Sequence, residues 1–150
     1  MIRFGAPQLK AITDAAEHAY PAECCGLLAG ARDASGVIRV SRVVASRNVA
    51  TSSHRDSFEV DPQVRFDLMR ACDEAAGEKL VGHYHSHPDH PARPSARDLA
   101  MAYEPDLVWV IVGVAGGRAE ATNAFLLAPD GKAFREIELA VEPTTEGNPK

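Results

Sequence analysis

Three histidines within five residues are the feature of this sequence with the clearest chemical meaning. His83, His85 and His87 are separated by single residues. Because side chains on a β-strand alternate between its two faces, the three imidazoles are predicted to share one face of a strand. Two imidazoles two positions apart lie about 6 to 7 Å from each other and can converge on one ion where the strand ends. Pro88, which cannot donate to a sheet ladder, favours such an end.

A carboxylate downstream of the histidines completes a metal-binding set. A catalytic zinc ion uses three protein ligands and keeps a fourth position for water. His85 and His87 supply two ligands, and Asp98 is the candidate for the third because a loop can return its short predicted helix to the strand end. Ser95-x-x-Asp98 is also a helix-capping signature, and alone it would indicate only a cap. For Ser95, a capping role and a chemical role do not exclude each other.

A water molecule on such an ion needs a base that takes its proton. Glu23 is the candidate, since it follows Pro21 and precedes a short apolar strand that would hold its backbone in place. Taken alone, a loop glutamate is more often a solvated surface residue, and histidine pairs also arise by chance. The combination of these residue types at this spacing indicates a metal site that activates water, as in metal-dependent hydrolases.

These residues resemble the JAMM metalloproteases, also called MPN-plus domains. The family pattern is a glutamate, a variable gap, His-Ser/Thr-His, seven residues, Ser, two residues and Asp. The chain matches this pattern at Glu23, residues 85–87, Ser95 and Asp98. Residues 21–30, Pro-Ala-Glu-Cys-Cys-Gly-Leu-Leu-Ala-Gly, are similar to the first strand of the family and support the assignment of Glu23 independently.

The resemblance implies a role for each matching residue. The implied ligands of Zn²⁺ are His85, His87 and Asp98. Glu23 would deprotonate the bound water and later protonate the leaving amine, and Ser95 would hydrogen-bond the developing oxyanion. Ser86 would orient the loop behind the ligands. His83 stands where many relatives have a large aromatic or apolar residue, and it is not predicted to be a ligand.

The resemblance also implies an α/β domain with a curved mixed sheet flanked by helices, similar to the cytidine deaminases. Periodicity and turn residues independently predict strands mixed with helices. The predicted helices are 7–19, 62–76 and 95–103. The predicted strands are 2–4, which is expected at an edge of the sheet, 24–29, 37–45, 57–60, 79–87, 107–114, 121–127 and 134–141. We expect a catalytic domain over residues 1–141 and a flexible tail over residues 142–150, whose composition lacks an apolar period.

Composition excludes several classes of function. The chain has 150 residues, which suits one domain, and a formal net charge of −5. Neither a Lys/Arg run nor an apolar run of membrane-spanning length occurs, so we expect no nucleic-acid or membrane partner. The N-terminal residues lack the order of a signal peptide, and three cysteines without pairing spacing fit reduced thiols. A cytoplasmic location is therefore expected.

The substrate is predicted from the resemblance and from size. Compact members resemble bacterial enzymes that cut after the C-terminal Gly-Gly of ubiquitin-like sulfur-carrier proteins, and such a tail would add as a strand to a sheet edge. Two alternatives stay open, a non-catalytic scaffold or binding module of the same fold and a JAMM peptidase acting on cell-wall or other peptides. A zinc deaminase would need His-x-Glu with Pro-Cys-x-x-Cys, and neither motif occurs.

Overall fold

The computed structural model describes residues 1–143, which form eight strands and three helices. Most predicted elements are present with ends shifted by a few residues. In chain order the elements are β1 (Ile2–Gly5), α1 (Ala6–Ala19), β2 (Cys25–Arg32), β3 (Ile38–Ser46), α2 (Pro62–Glu74), β4 (Lys79–Pro88), α3 (Ala96–Ala100), β5 (Val108–Ala115), β6 (Arg118–Leu127), β7 (Phe134–Ile137) and β8 (Leu139–Glu142).

All eight strands belong to one mixed sheet with the order β7-β6-β5-β4-β2-β3-β1-β8. The strand predicted over residues 134–141 is in fact two strands. β7 pairs with β6 at one edge of the sheet and β8 pairs with β1 at the other, although only Glu138 separates them. Since one residue spans less than 4 Å, the sheet must curl until its two edges meet. The curved mixed sheet predicted from the sequence is confirmed and is close to a closed barrel.

The two long helices cover opposite faces of this sheet. Ile12 and Ala16 of α1 are fully buried in the larger core cluster, together with Leu28 of β2. α2 packs Leu68 and Cys72 on the other face, against the neighbours of Leu28 in β2. This division follows from the alternation of side chains along β2.

Three further predictions of secondary structure are wrong in detail. The strand at residues 2–4 lies between β3 and β8 rather than at an edge. Residues 57–60 form only an isolated bridge between Val60 and Asn48. α3 covers five residues instead of reaching residue 103. Pro105 disfavours helical geometry in the residue before it, which explains why no further helical turn follows.

The central position of β4 determines where the histidines lie. β4 runs antiparallel to β2 and parallel to β5, and Cys25 is the register partner of His85. Because β2 and β4 are antiparallel, the start of β2 lies beside the end of β4. Glu23, two residues before β2, is thereby brought next to the histidine pair.

The C-terminal boundary differs slightly from the prediction. Glu142, predicted to begin the tail, is the last residue of β8 and forms ion pairs with Arg3 and Arg39. The rest of the predicted tail, residues 144–150, lies outside the described residues. Among residues 1–143, no helix has the length and apolar character needed to cross a membrane. The three cysteines are free thiols.

Candidate metal centre

The histidines of β4 share one face of the strand, as predicted. The ring centroids of His83 and His85 are 6.3 Å apart, and those of His85 and His87 are 4.9 Å apart. Tyr84 and Ser86 point to the opposite face, where Tyr84 joins the hydrophobic core. The rings of His85 and His87 therefore approach each other at the end of β4, while His83 stays farther from this pair.

Asp98 joins the histidine pair and completes a cluster of three metal-binding side chains. The Nε2 atoms of His85 and His87 are 3.1 Å apart. Asp98 Oδ2 lies 3.4 Å from His85 Nε2 and 3.1 Å from His87 Nε2. All three residues are buried. The structure thus brings together the three residues that the sequence singled out as ligands.

A capping box at the start of α3 holds Asp98 in this position. The backbone N–H of Ser95 donates to Asp98 Oδ2 at 2.9 Å, and the backbone N–H of Asp98 donates to Ser95 Oγ at 3.0 Å. Both readings of Ser95-x-x-Asp98 are therefore compatible, because the capping carboxylate also faces the histidines. The hydroxyl hydrogen of Ser95 is not used by the cap and is free to donate elsewhere.

Contacts on the far side of each ring orient the histidines. His87 Nδ1 donates to the carbonyl of Pro91 at 2.8 Å, which leaves the Nε2 lone pair of a neutral ring facing the cluster. His85 stacks on Phe58, with ring centroids 4.1 Å apart and an interplanar angle of 17°. Both rings are therefore held before any ion binds. His85 Nδ1 is buried and has no partner among the described residues.

Glu23 is buried beside this cluster. It is 6% exposed, and its Oε1 has no hydrogen-bond partner among residues 1–143. Burial raises the pKa of Glu23 to about 8. Its backbone is fixed on both sides: the N–H of Glu23 donates to the carbonyl of His54 at 2.6 Å, and Asn48 Nδ2 donates to the carbonyl of Glu23 at 3.3 Å.

Ser86 connects the Glu23 segment to β4. Its Oγ accepts a hydrogen bond from the backbone N–H of Cys24 at 2.8 Å, and its own N–H donates to the carbonyl of Cys24 at 3.2 Å. Ser86 is fully buried. The residue between the two histidines thus anchors the residue that follows Glu23.

Burial and hydrogen bonds shift the pKa values of Asp98, His85 and His87. Burial alone would raise the pKa of Asp98, but hydrogen bonds to His85 and His87 keep it well below its ordinary value. Burial lowers the pKa of His85. For His87, burial acts in the same direction, but the hydrogen bonds that the protonated ring donates to Asp98 and Pro91 outweigh it and raise the pKa.

This donor set fits a zinc ion. Two imidazole nitrogens and one carboxylate oxygen are a common ligand set of catalytic zinc. Around a tetrahedral ion with bonds of about 2.0 to 2.2 Å, ligand atoms lie roughly 3.3 to 3.6 Å apart. The three observed separations, 3.1 to 3.4 Å, are close to that spacing. Three protein ligands also leave one coordination position for solvent.

Two depressions that share no lining residue adjoin the cluster. The larger, about 410 Å³, reaches Asp98 and is mainly apolar, with Phe58 and Trp109 among its walls. The smaller, about 300 Å³, is lined by Glu23, His87 and Ser95. A substrate that crosses the cluster can therefore occupy both depressions, with its reacting bond at the ligands.

Several residues of the site were not found from the sequence. Phe58 lies in a segment predicted only as a brief strand, and its ring position depends on long-range packing. Trp109 was assigned to a strand without a role, yet its ring meets that of His83 edge-on at 4.3 Å. The Pro91 carbonyl left no signal in the sequence, because any residue carries a carbonyl.

Solved structures of related chains share this architecture. The solution structure of a protein from Desulfitobacterium hafniense is 30% identical in sequence and has a TM-score of 0.81, covering 99% of this chain and 97% of that one. A crystal structure of a JAB1/MPN domain protein from Archaeoglobus fulgidus is 24% identical with a TM-score of 0.57. It covers 93% of this chain and 97% of that chain, and it shows the same fold.

Curated relatives match most of the chain. A desampylase from Haloferax volcanii is 39% identical over 125 residues, which are 81% of this chain and 80% of that protein. A CysO-cysteine peptidase from Mycobacterium tuberculosis is 33% identical over 123 residues, covering 82% and 80%. The family profile described as prokaryotic homologs of the JAB domain matches residues 5–127. The resemblance predicted from the glutamate and the His-Ser-His motif is thus confirmed, and the chain belongs to the prokaryotic JAB-domain family.

Proposed function

We propose that this protein is a zinc-dependent peptidase that hydrolyses the amide bond after the C-terminal Gly-Gly of a ubiquitin-like or sulfur-carrier protein. The observation that carries the proposal is the convergence of His85, His87 and Asp98 beside the buried carboxyl of Glu23. The names of the relatives support the substrate class: a desampylase, a CysO-cysteine peptidase and, in Thermus thermophilus, a probable TtuB-protein conjugate cleaving protease. We place the reaction in the cytoplasm, where free thiols stay reduced.

In this proposal His85, His87 and Asp98 hold the metal. Zinc held there would supply Lewis acidity, which would make an attacking water more acidic and would polarise the scissile carbonyl. The protein sets the direction of the three donor atoms. The Pro91 carbonyl selects the tautomer of His87, and the cap at Ser95 keeps the Asp98 oxygen facing the rings.

Glu23 moves the proton. Its carboxylate accepts a proton from the attacking water and then gives it to the nitrogen of the leaving amine, so that one group serves as base and as acid. A carboxyl is most effective in both roles when its pKa lies near the working pH. Burial raises the pKa of Glu23 to about 8 in the metal-free chain, and a cation at the cluster would lower it toward neutrality.

Ser95 stabilises negative charge on the carbonyl oxygen. Its Oγ accepts the cap hydrogen bond from Asp98, so the hydroxyl hydrogen can point to the oxyanion. Removal of one such donor costs about 3 to 4 kcal/mol of barrier in well-studied enzymes. Ser86 acts indirectly, because its hydrogen bonds to Cys24 hold the Glu23 segment against β4.

The two depressions separate the two halves of the substrate. Glu23 must reach the leaving nitrogen, so the amine side of the bond belongs in the smaller depression that Glu23 lines. The acyl side, which is the tail of the carrier, then belongs in the larger apolar depression next to Asp98.

A free backbone edge for the tail lies along residues 57–60. β4 cannot supply this edge, because it pairs with β2 and β5 on its two sides. Within residues 1–143, neither the N–H nor the carbonyl of Phe58 has a backbone partner, and Phe58 lines the larger depression. The strand addition predicted for the tail is therefore proposed at this segment.

The test uses the zinc-loaded protein and a carrier–cysteine adduct, with mass spectrometry to follow release of the carrier ending in Gly-Gly. We expect release that stops when a chelator removes zinc and returns when zinc is restored. Glu23→Gln is the matched control, because it keeps the shape of the side chain and removes its basicity. Absence of release by zinc-loaded wild type would contradict the proposal and favour a binding role. Equal release by wild type and Glu23→Gln would contradict the role of Glu23 as the proton carrier.

A further inference from the structure

His83 is the one residue of the histidine motif that the proposed function leaves without a role. It lies on the same face of β4 as the metal ligands and lines the larger depression. Its ring is half-buried among aromatic side chains. Trp109 is 4.3 Å away edge-on and Phe58 is 5.9 Å away between ring centroids.

The ring nitrogens of His83 have no partner in the described part of the chain. Nδ1 is buried without a hydrogen bond. A buried N–H without an acceptor is rarer than a buried lone pair without a donor, so the proton of a neutral ring belongs on Nε2. Nε2 is then the one donor of this side chain, on a ring that forms part of the depression wall.

We propose that His83 is a specificity-determining residue whose Nε2–H donates to a backbone carbonyl of the acyl segment, about two residues upstream of the scissile bond. The inference rests on the proposed function, in which that segment occupies the larger depression. The position follows from spacing. The rings of His83 and His85 are 6.3 Å apart, and two residues of extended chain cover about 6.6 Å.

A backbone group is the natural acceptor at this point. The rings of Phe58 and Trp109 flank His83, so the space beside its ring suits a slim segment such as glycine better than a large side chain. The ring of Phe58 offers apolar contact without a competing hydrogen bond. A peptide carbonyl would therefore accept a hydrogen bond from His83, whereas an apolar group at that position would leave the N–H of His83 without a partner.

The test combines changes in the protein with a change in the substrate. The first substrate is a carrier-tail peptide ending in Gly-Gly-amide. In the second substrate an alkene isostere, which has no carbonyl, replaces the amide two residues upstream of the scissile bond. For wild type we expect kcat/KM to fall about three- to tenfold with the isostere, the value of one hydrogen bond. For His83→Phe the penalty should be about three- to tenfold smaller than for wild type, because any part that comes from the missing amide N–H is common to both proteins. His83→Gln keeps an N–H donor and should restore part of the discrimination.

Leu107→Val is the matched control, because it alters another wall of the same depression without touching a polar group. It should keep the full penalty for the isostere. Zinc content is measured for every variant, so that a lost ligand is not mistaken for lost recognition. An equal isostere penalty in wild type and His83→Phe would overturn the role of His83 and leave the proposed function intact.

A binding measurement tests the role of His83 without requiring turnover. Calorimetry with the product peptide ending in a free Gly-Gly carboxylate should show about three- to tenfold weaker binding to His83→Phe than to wild type. If wild type binds the peptide but does not cleave the amide, the proposed function fails. The difference in affinity between wild type and His83→Phe still tests the role of His83. Equal affinity, or no binding to wild type, would overturn it.

Discussion

Glu23→Gln should make the metal-free protein more stable at neutral pH. The folded protein holds the Glu23 carboxyl at a pKa of about 8, against an ordinary value of 4.5, because the group is buried. A carboxyl whose pKa is raised on folding stabilises the fold fully below the unfolded pKa, and this contribution is lost as pH rises through the folded pKa. The loss of unfolding free energy caused by Glu23 should therefore increase between about pH 4.5 and pH 8.

The size of the effect follows from the same pKa. Each pH step above the unfolded pKa corresponds to about 1.4 kcal/mol. At pH 7 Glu23 is ionised in the unfolded chain but mostly protonated in the fold, and keeping this proton should cost the fold about 3 kcal/mol. Glutamine is uncharged at every pH and escapes this cost. The difference in unfolding free energy between Glu23→Gln and wild type should be small near pH 4.5 and reach about 3 kcal/mol at pH 7.

Urea denaturation of the two chelator-treated proteins at several pH values measures this difference. Other titrating groups are common to both proteins and largely cancel. Glu59→Gln, which removes an exposed carboxylate from the wall of the larger depression, is the control and should show no such growth. A Glu23→Gln difference that does not change with pH would refute the burial argument, whatever its size.

Three further predictions concern the site and the strands that carry it. Ser95→Ala should lower turnover by about two to three decades while zinc stays bound. It should also lower the unfolding free energy by about 1 kcal/mol, because the helix cap is lost. Ser95→Thr keeps the hydroxyl and should recover most of the turnover in kinetic assays and most of the stability in denaturation assays. Asp98→Asn should bind zinc much more weakly than wild type when measured by competition with a chelating dye, because it removes the one carboxylate of the proposed ligand set; unchanged affinity would argue against coordination by Asp98. Gly82→Ala should destabilise the protein by roughly 1 to 3 kcal/mol in thermal or chemical unfolding, because the added Cβ would lie 2.4 Å from the carbonyl oxygen of Val108. Gly5→Ala, where the nearest atom is 3.6 Å away, is the control and should change stability little.

Local patterns made much of the site readable from the sequence. Alternation along a strand predicts that His83, His85 and His87 share a face, and the ring distances agree with it. The capping signature predicts the start of α3 at Ser95, and the cap is present. These signals are readable because strand alternation and helix capping depend on residues within a few positions of one another.

Pairing between distant segments decided the rest. The sequence did not reveal that residues 134–141 divide at Glu138 and pair with opposite edges of the sheet, since the apolar pattern does not record which strand lies alongside. The same holds for the stack of Phe58 on His85 and for the Pro91 carbonyl behind His87. Each of these contacts joins an element to a partner that short-range periodicity cannot specify.

The sequence and the tertiary structure therefore determine different properties of the site. The sequence by itself determined which side chains can bind a metal, because residue type and spacing carry that information. Only the tertiary structure decided how these groups behave, because the antiparallel pairing of β2 and β4 brings Glu23 to the histidines and the surrounding burial raises its pKa to about 8. Desolvation is a property of the packed interior, and a single chain segment does not contain it.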